Sequence, residues 1–352
     1  MSKRIESMNI LIVEYLAPIG HVGYVSYHIN TLLDLGHNIT FYTHDNFYKE
    51  CKIPSVLFKN FPKFLYCQVN NPLKPIIERV QGIIKLIIID LFLIFNKYDV
   101  IIFTSYDIMS FWIFRTKSPT FIVNHNNTTD FTSSIKKSLH HSISSKFTHV
   151  ALAPFIQDYL KQYLRNKVIM IPHGLTKKYH RIKEDNRSLF GGRFVYIHTT
   201  SSCNKYVLTQ VLQNENIRSY LQNNKLKLVV KSYTYKSDDK NIIVLPHFID
   251  GDMYARIMGE AMAVFAPYND NTFHFRVSAV LMECFGSNIP IISTPSLSYS
   301  SYSDFITYPF IVDSPESFIE AIDTISKTPS SSYYKNINQL SAKNYWEEEL
   351  RF

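Results

Sequence analysis

Cysteine is scarce, and nothing about its placement suggests metal. Cys51, Cys67, Cys203 and Cys284 are scattered through 352 residues, with no CxxC pair and no Cys/His ligand spacing. That speaks against a zinc module and a disulfide framework, and it suits a reducing cytoplasm. Dense Lys/Arg runs are missing, as are zinc-finger, homeodomain and RNP-type motifs, so a nucleic-acid partner has no support. No secretory leader is readable, because the polar opening MSKRIESMN leads straight into the strand-like ILIVEY. Internal repeats and low-complexity tracts are absent too. No apolar run reaches the roughly 20 residues of a spanning helix without interruption. The best candidate, Lys74 to Val100, is broken by Glu78, Arg79, Lys85 and Asp90. Charges at a bilayer centre cost about 2.5–3.5 kcal/mol each on insertion scales. The segment reads as a helix packed on a sheet, with partial immersion in a membrane surface as the alternative.

What is present belongs to a globular protein. Hydrophobic residues make up 46% and aromatics 14%, too apolar for a disordered chain. The length points to two domains. A formal charge of +8 favours an anionic partner, and a phosphorylated ligand or a membrane surface ranks above DNA or RNA.

Short apolar runs alternate with helix-period segments. NILIVEY, NITFYTH, DVIIFTS, PTFIVNH, HVALAP and KVIMIPHG read as strands of a first half, with helices between them and Gly36 as a helix-ending glycine. An irregular patch from Pro54 to Pro75 interrupts them. A second half offers FVYIHTT, KLKLVVKS, NIIVLP, AMAVFAP, IPIIST and PFIVDS, with one helix expected through NKYVLTQVLQNENIRSYLQ. The alternation predicts an α/β chain of two doubly wound, Rossmann-like domains with parallel sheets. Their boundaries are expected at residues 1–175, a linker at 176–192, a second domain at 193–330 and a helical tail at 331–352 that packs back on the first domain. Ligands bind outside the carboxyl ends of parallel strands, so two such edges are expected to face a central cleft.

The stretch FHFRVSAVLMECFGSNIPIIST, Phe273 to Thr294, carries the densest chemistry. A helix starting there aims free N–H groups at a phosphate. Arg276 offers fork-shaped donors to diphosphate oxygens, with His274 beside it. Ser278 serves as helix cap or phosphate contact. Glu283, seven residues after Arg276, shares its face if the helix already includes Arg276, and a carboxylate there suits two vicinal ribose hydroxyls. A local ion pair between surface groups is the plainer reading. Near the amino terminus, Gly20, His21 and Gly23 form a loop in which glycine permits close approach to a phosphate or a sugar. The acidic pairs in YNDNT and SDDK do not follow an apolar strand and read as loop chemistry rather than a metal site.

These residues resemble glycosyltransferases of the GT-B fold, specifically family 4, also called glycosyltransferase group 1. The match rests on Pro267…Glu283-Cys284…Gly286…Ile289-Pro290-Ile291-Ile292, on HVALAPFIQDYLKQYLRNKVIMIPHGL, and more loosely on YLAPIGHVGYVSYHINTLLDLGHNITFYT. The resemblance implies that Glu283 holds the nucleotide ribose and that the C-terminal domain binds the donor. The family has a second glutamate eight positions earlier, where this chain has Phe275. HFRVSAVLMEC is closer to a variant subgroup that places Arg and Ser there. The resemblance makes His125, just past a strand end, a catalytic-site histidine facing the sugar. It makes Lys205, Lys231, Ser201 or Ser202 the groups that neutralise the diphosphate in place of the family's usual arginine.

The implied function is transfer of a sugar from a nucleotide sugar to a glycan or polyprenyl-linked acceptor, with retention of configuration, in bacterial surface polysaccharide synthesis. Neither metal nor other cofactor is implied beyond the nucleotide-sugar co-substrate. The implied location is cytoplasmic, with peripheral contact to the inner membrane. A nucleotide-sugar epimerase of the same fold, a non-catalytic accessory subunit and a membrane scaffold are the rival readings.

Overall fold

The computed structural model describes residues 6–17, 21–66, 73–125, 127–143, 147–175, 178–182, 189–200, 203–232, 235–269, 275–328 and 333–351. The chain divides into two compact units. The first comprises Met1–Thr176 with Phe275–Val277 and Leu340–Phe352, and the second Lys177–His274 with Ser278–Gln339.

The first unit is built on seven parallel strands: β1 (Asn9–Val13), β2 (Asn38–Thr43), β3 (Leu57–Asn60), β4 (Val100–Phe103), β5 (Thr120–Val123), β6 (Phe147–Ala151) and β7 (Val168–Met170), in the order β3-β2-β1-β4-β5-β6-β7. β1 and β4 are apolar and buried nearly throughout, as strands covered on both faces must be. Ile10 of β1 pairs with Ile39 on one side and Val100 on the other. The helices are α1 (Val22–Asp34), α2 (Asp45–Cys51), α3 (Lys74–Phe95), α4 (Ile108–Phe111), α5 (Ser134–Ser142) and α6 (Pro154–Tyr163). Gly36 ends α1 at φ +88°, the left-handed turn that frees the His37 N–H to reach the Leu32 carbonyl at 3.2 Å.

Six parallel strands form the second unit: β8 (Phe194–Ile197), β9 (Lys227–Lys231), β10 (Ile242–Leu245), β11 (Ala263–Ala266), β12 (Ile291–Ser293) and β13 (Phe310–Ile311), ordered β10-β9-β8-β11-β12-β13. Its helices are α7 (Lys205–Gln213), α8 (Glu215–Asn223), α9 (Gly251–Glu260), α10 (Ala279–Ser287), α11 (Leu297–Ser300) and α12 (Pro315–Lys327). In each unit the first strand has later strands on both sides. The strand order therefore reverses beside β1 and beside β8, which is where doubly wound sheets open a crevice at their carboxyl ends.

Three local expectations are corrected. The patch from Pro54 to Pro75 contains an edge strand, β3, whose outward-facing residues gave no apolar run. The expected single helix from Asn204 to Gln222 is two. Asn214 leaves the helical region (φ −74°, ψ 127°) and its side chain accepts from the N–H groups of Asn216 and Ile217, ending α7 and capping α8. Among its described residues the tail is α-helical over α13 (Lys343–Glu349) alone, preceded by a 3-10 turn at Ile337–Leu340.

The described part of the polar 176–192 segment is held by the second unit. Arg181 Nη1 donates to the carbonyls of Met258 and Ala261, and the Ile182 N–H reaches Gly259 O at 3.0 Å. Gly259 is required at that contact, because a Cβ there would lie 2.8 Å from the His180 carbonyl oxygen. The expected tail is divided: up to Gln339 it stays with the second unit, and Leu340–Phe352 belongs to the first. Trp346 is buried edge-on to Phe121, and its Nε1 donates to His28 Nδ1 at 2.8 Å.

Candidate functional site

The second unit carries a cavity of 760 Å³ at the carboxyl ends of β8 and β9, beside α7. Thr199 and Thr200 line it from the end of β8, Lys231 and Ser232 from the end of β9, and Lys205 from the first position of α7. Lys205 and Lys231 were singled out separately in the sequence, and the fold places both on this one cavity. Asn204 caps α7, its side chain accepting from Val207 N, so the helix start is fixed against the cavity. Burial pulls the Lys231 ammonium below the usual lysine range, and the charge of Glu283 opposes that pull. The arrangement combines two cations, hydroxyl donors and a helix N-terminus, which is the chemistry of phosphate binding.

Glu283 sits on the inward face of α10, 8% exposed. Tyr254 of α9 donates to its Oε2 at 2.7 Å. Tyr179 and Tyr196 lie close enough that burial and then the Glu283 charge raise their hydroxyls. A carboxylate so held keeps its direction, and it can accept from a ligand hydroxyl. These tyrosines come from separate segments, and no local pattern marks them.

Ser278 is the N-cap of α10. Its Oγ accepts from Leu281 N at 3.2 Å and is hydrogen-bonded to the Tyr268 hydroxyl, so its polar capacity goes to the helix start. Arg276 therefore precedes the helix, and the shared helical face with Glu283 does not exist. Arg276 is half-buried, and its Nε is buried without a hydrogen-bond partner. Phe275, at the position of the family's first glutamate, stacks on Tyr159 with ring centroids 3.8 Å apart, while its carbonyl accepts from Thr128. An aromatic packing contact occupies the place of that carboxylate. Ser201, His274 and Gly20 lie outside the described residues.

The first unit assembles a second polar cluster. Glu14, missed in the sequence because it ended an apolar run, is fully buried just past β1. Its carboxylate accepts from the N–H groups of Leu16 and Ala17 and from Thr104 and Ser105. His21 Nδ1 stands 3.7 Å from Oε2. Burial pushes the Glu14 carboxyl up, but His21, Ser105 and the Ala17 N–H outweigh it and hold the group below the usual carboxylate range. The His21 ring stacks on His125 at 4.0 Å. His125 follows β5, its Nε2 is buried without a partner, and burial with the neighbouring His21, His173 and His28 drives its pKa well down. It is a neutral imidazole with one polar atom to offer. Gly23 lies in the first turn of α1.

Neither a family model nor a curated protein matches the sequence. Solved structures do match over nearly all of it. The chain is similar to sucrose-phosphate synthase from Thermosynechococcus elongatus, with a TM-score of 0.63 at 10% identity over 97% of this chain and 96% of that one. It is similar to the UDP-GlcNAc 2-epimerase from Methanocaldococcus jannaschii, with a TM-score of 0.61 at 14% identity over 97% and 99%. It is also similar to Anabaena HepE, solved in complex with UDP-glucose, with a TM-score of 0.59 at 12% identity over 97% and 95%.

Proposed function

We propose that this chain, on the glycosyltransferase-like GT-B fold it shares with those structures, moves a sugar from a nucleotide-sugar donor to a glycan or polyprenyl-linked acceptor. The observation that carries the reading is the joint placement of Lys205, Lys231 and the α7 N-terminus on one cavity. Cleaving a sugar–phosphate bond develops negative charge on the leaving diphosphate, and these groups are placed to receive it. Charge-assisted hydrogen bonds contribute about 1.5–3 kcal/mol each, so a few of them supply a large part of a barrier reduction of about 8 kcal/mol. Glu283 would take the ribose hydroxyls, with Tyr254 holding its other contact. Assembly of a bacterial surface polysaccharide at the cytoplasmic face of the membrane is the setting that fits a lipid-linked acceptor.

In the first unit, neutral His125 offers a hydrogen bond to a sugar hydroxyl. The buried Glu14 carboxylate lies 3.7 Å from His21 Nδ1, and an imidazole beside a carboxylate can take a proton from an attacking hydroxyl. That couple favours a second reading of the stereochemistry, direct displacement with inversion, over the retention implied by family 4. The anomeric configuration of the product, read by proton NMR, separates the two.

Thermal-shift titration with UDP-, GDP- and dTDP-sugars tests the donor site. One of them should raise the melting temperature. Glu283→Ala and Lys205→Ala/Lys231→Ala should each weaken that ligand by roughly tenfold to a hundredfold. Wild-type affinity in both variants would refute the assignment. Release of an epimerised free sugar without acceptor would move the chain to the epimerase reading, and binding without turnover to the accessory-subunit reading.

A further inference from the structure

The outward face of α3 is apolar where a helix facing water is polar. Gly82, Lys85, Leu86 and Ile89 point into the first unit. Ile76, Val80, Ile84, Ile87, Leu91 and Ile94 are exposed at intervals of three or four residues and form one stripe along the helix. From Ile84 to Phe95 every exposed side chain is apolar, with Leu91 at 54%, Ile94 at 68% and Phe95 at 84%. The two charged residues of that stretch turn the other way. Lys85 is buried and donates to the Tyr15 carbonyl at 2.9 Å, and Asp90 is half-buried beside Arg115.

The patch extends beyond the helix. Phe64, 68% exposed, lies on the 3-10 turn at Lys63–Tyr66 that packs against α3, and Trp112 is exposed at the end of α4, which also packs there. Leu57 of β3 shares a surface hollow with Phe95. Its rim is basic: Lys63, Lys74, Arg79, Lys97, Arg115 and Lys117 are exposed on the segments that carry the patch, against the exposed acids Glu78 and Asp99. Among the described residues no helix is long and apolar enough to cross a membrane.

We propose that α3 lies flat on an anionic lipid surface, its stripe sunk to the boundary of the acyl chains and its basic rim against the lipid headgroups. Charge selects this occupant over a second copy of the chain. A two-fold pairing of stripe on stripe would set one basic rim against another, whereas an anionic bilayer complements it. The inference is independent of sugar transfer and stands or falls separately.

Vesicle flotation of the full chain tests it, with phosphatidylcholine vesicles prepared with and without phosphatidylglycerol. The protein should float with the phosphatidylglycerol vesicles and partition about tenfold less onto phosphatidylcholine alone. Leu91→Glu/Ile94→Glu should lower flotation by about tenfold or more while the melting temperature holds, since both side chains are already exposed. Wild type that stays unbound, or a double variant that floats equally well, overturns the proposal. So does light scattering that shows a wild-type dimer dissociated by the same substitutions, which would give the stripe to a second copy.

Discussion

Acidifying the protein from about pH 7 to pH 5 should remove roughly 6 kcal/mol of folding stability, as much as the whole stability of a domain at the low end of the ordinary range. Three of the buried histidines set this expectation by themselves, and His125 and His198, also drawn down by burial, act in the same direction. Burial draws His28 and His149 down to about 3 and His173 to about 4. In His28 the geometry shows why. Nδ1 accepts the Trp346 indole N–H, leaving Nε2 to donate to the His173 carbonyl, so a second ring proton would face a donor. His149 Nε2 is buried without a partner. In the unfolded chain each ring returns to a pKa of about 6.5. The folded value lies below the unfolded one, so the stability is complete above about pH 6.5 and drains as the pH falls toward 4 for His173 and toward 3 for His28 and His149. Each ring accounts for about 2 kcal/mol at pH 5. Glu14, held below the carboxylate range, acts in the same direction lower down the scale. Urea melts across this range should give a slope approaching 4 kcal/mol per pH unit, the uptake of about three protons. A flat profile would mean that the rings are accessible to protons in the folded state.

The second large effect is at Gly174, which follows β7. Its φ is +82°, and a Cβ there would lie 2.0 Å from Tyr27 Cε1. The ring has little freedom to yield, because its hydroxyl accepts the Ala342 N–H at 3.1 Å ahead of α13. Gly174→Ala combines backbone strain of about 1–2 kcal/mol with overpacking of about 1–3 kcal/mol. The melting temperature should fall by about 10 °C. Gly36→Ala is the matched control. Its φ is +88° with nothing within 4 Å of the added carbon, so it carries the strain without the clash. Equal losses at the two sites would show that Tyr27 moves aside freely. Adding Tyr27→Ala should then recover part of the Gly174→Ala loss, a coupling that a purely backbone effect would lack.

Much of the fold could be read from the chain because its central strands are covered on both faces. NILIV and VIIF are continuous apolar runs and were placed directly. β3 escaped because an edge strand with exposed residues has no such run. The α7–α8 break escaped because it depends on one asparagine side chain rather than on periodicity. The site was legible in part for a related reason. Lys205, Lys231, His21 and His125 follow strand ends or open helices, where local pattern points to a ligand. Glu14 ended an apolar run and looked like its boundary. Tyr254 and Tyr179 reach Glu283 from distant segments, and only the folded chain relates them. Arg276 was misplaced by one structural assumption, a helix that in fact begins after Ser278.

The ownership of Leu340–Phe352 by the first unit bears on how the protein is made. A ribosome would deliver β1 through β7 long before it delivered Trp346, and His28 would wait for its indole partner while some 170 further residues emerged. The first unit would be the earlier to begin folding and the later to finish. A nascent chain arrested before residue 340 should carry a settled second unit beside a first unit still open to protease.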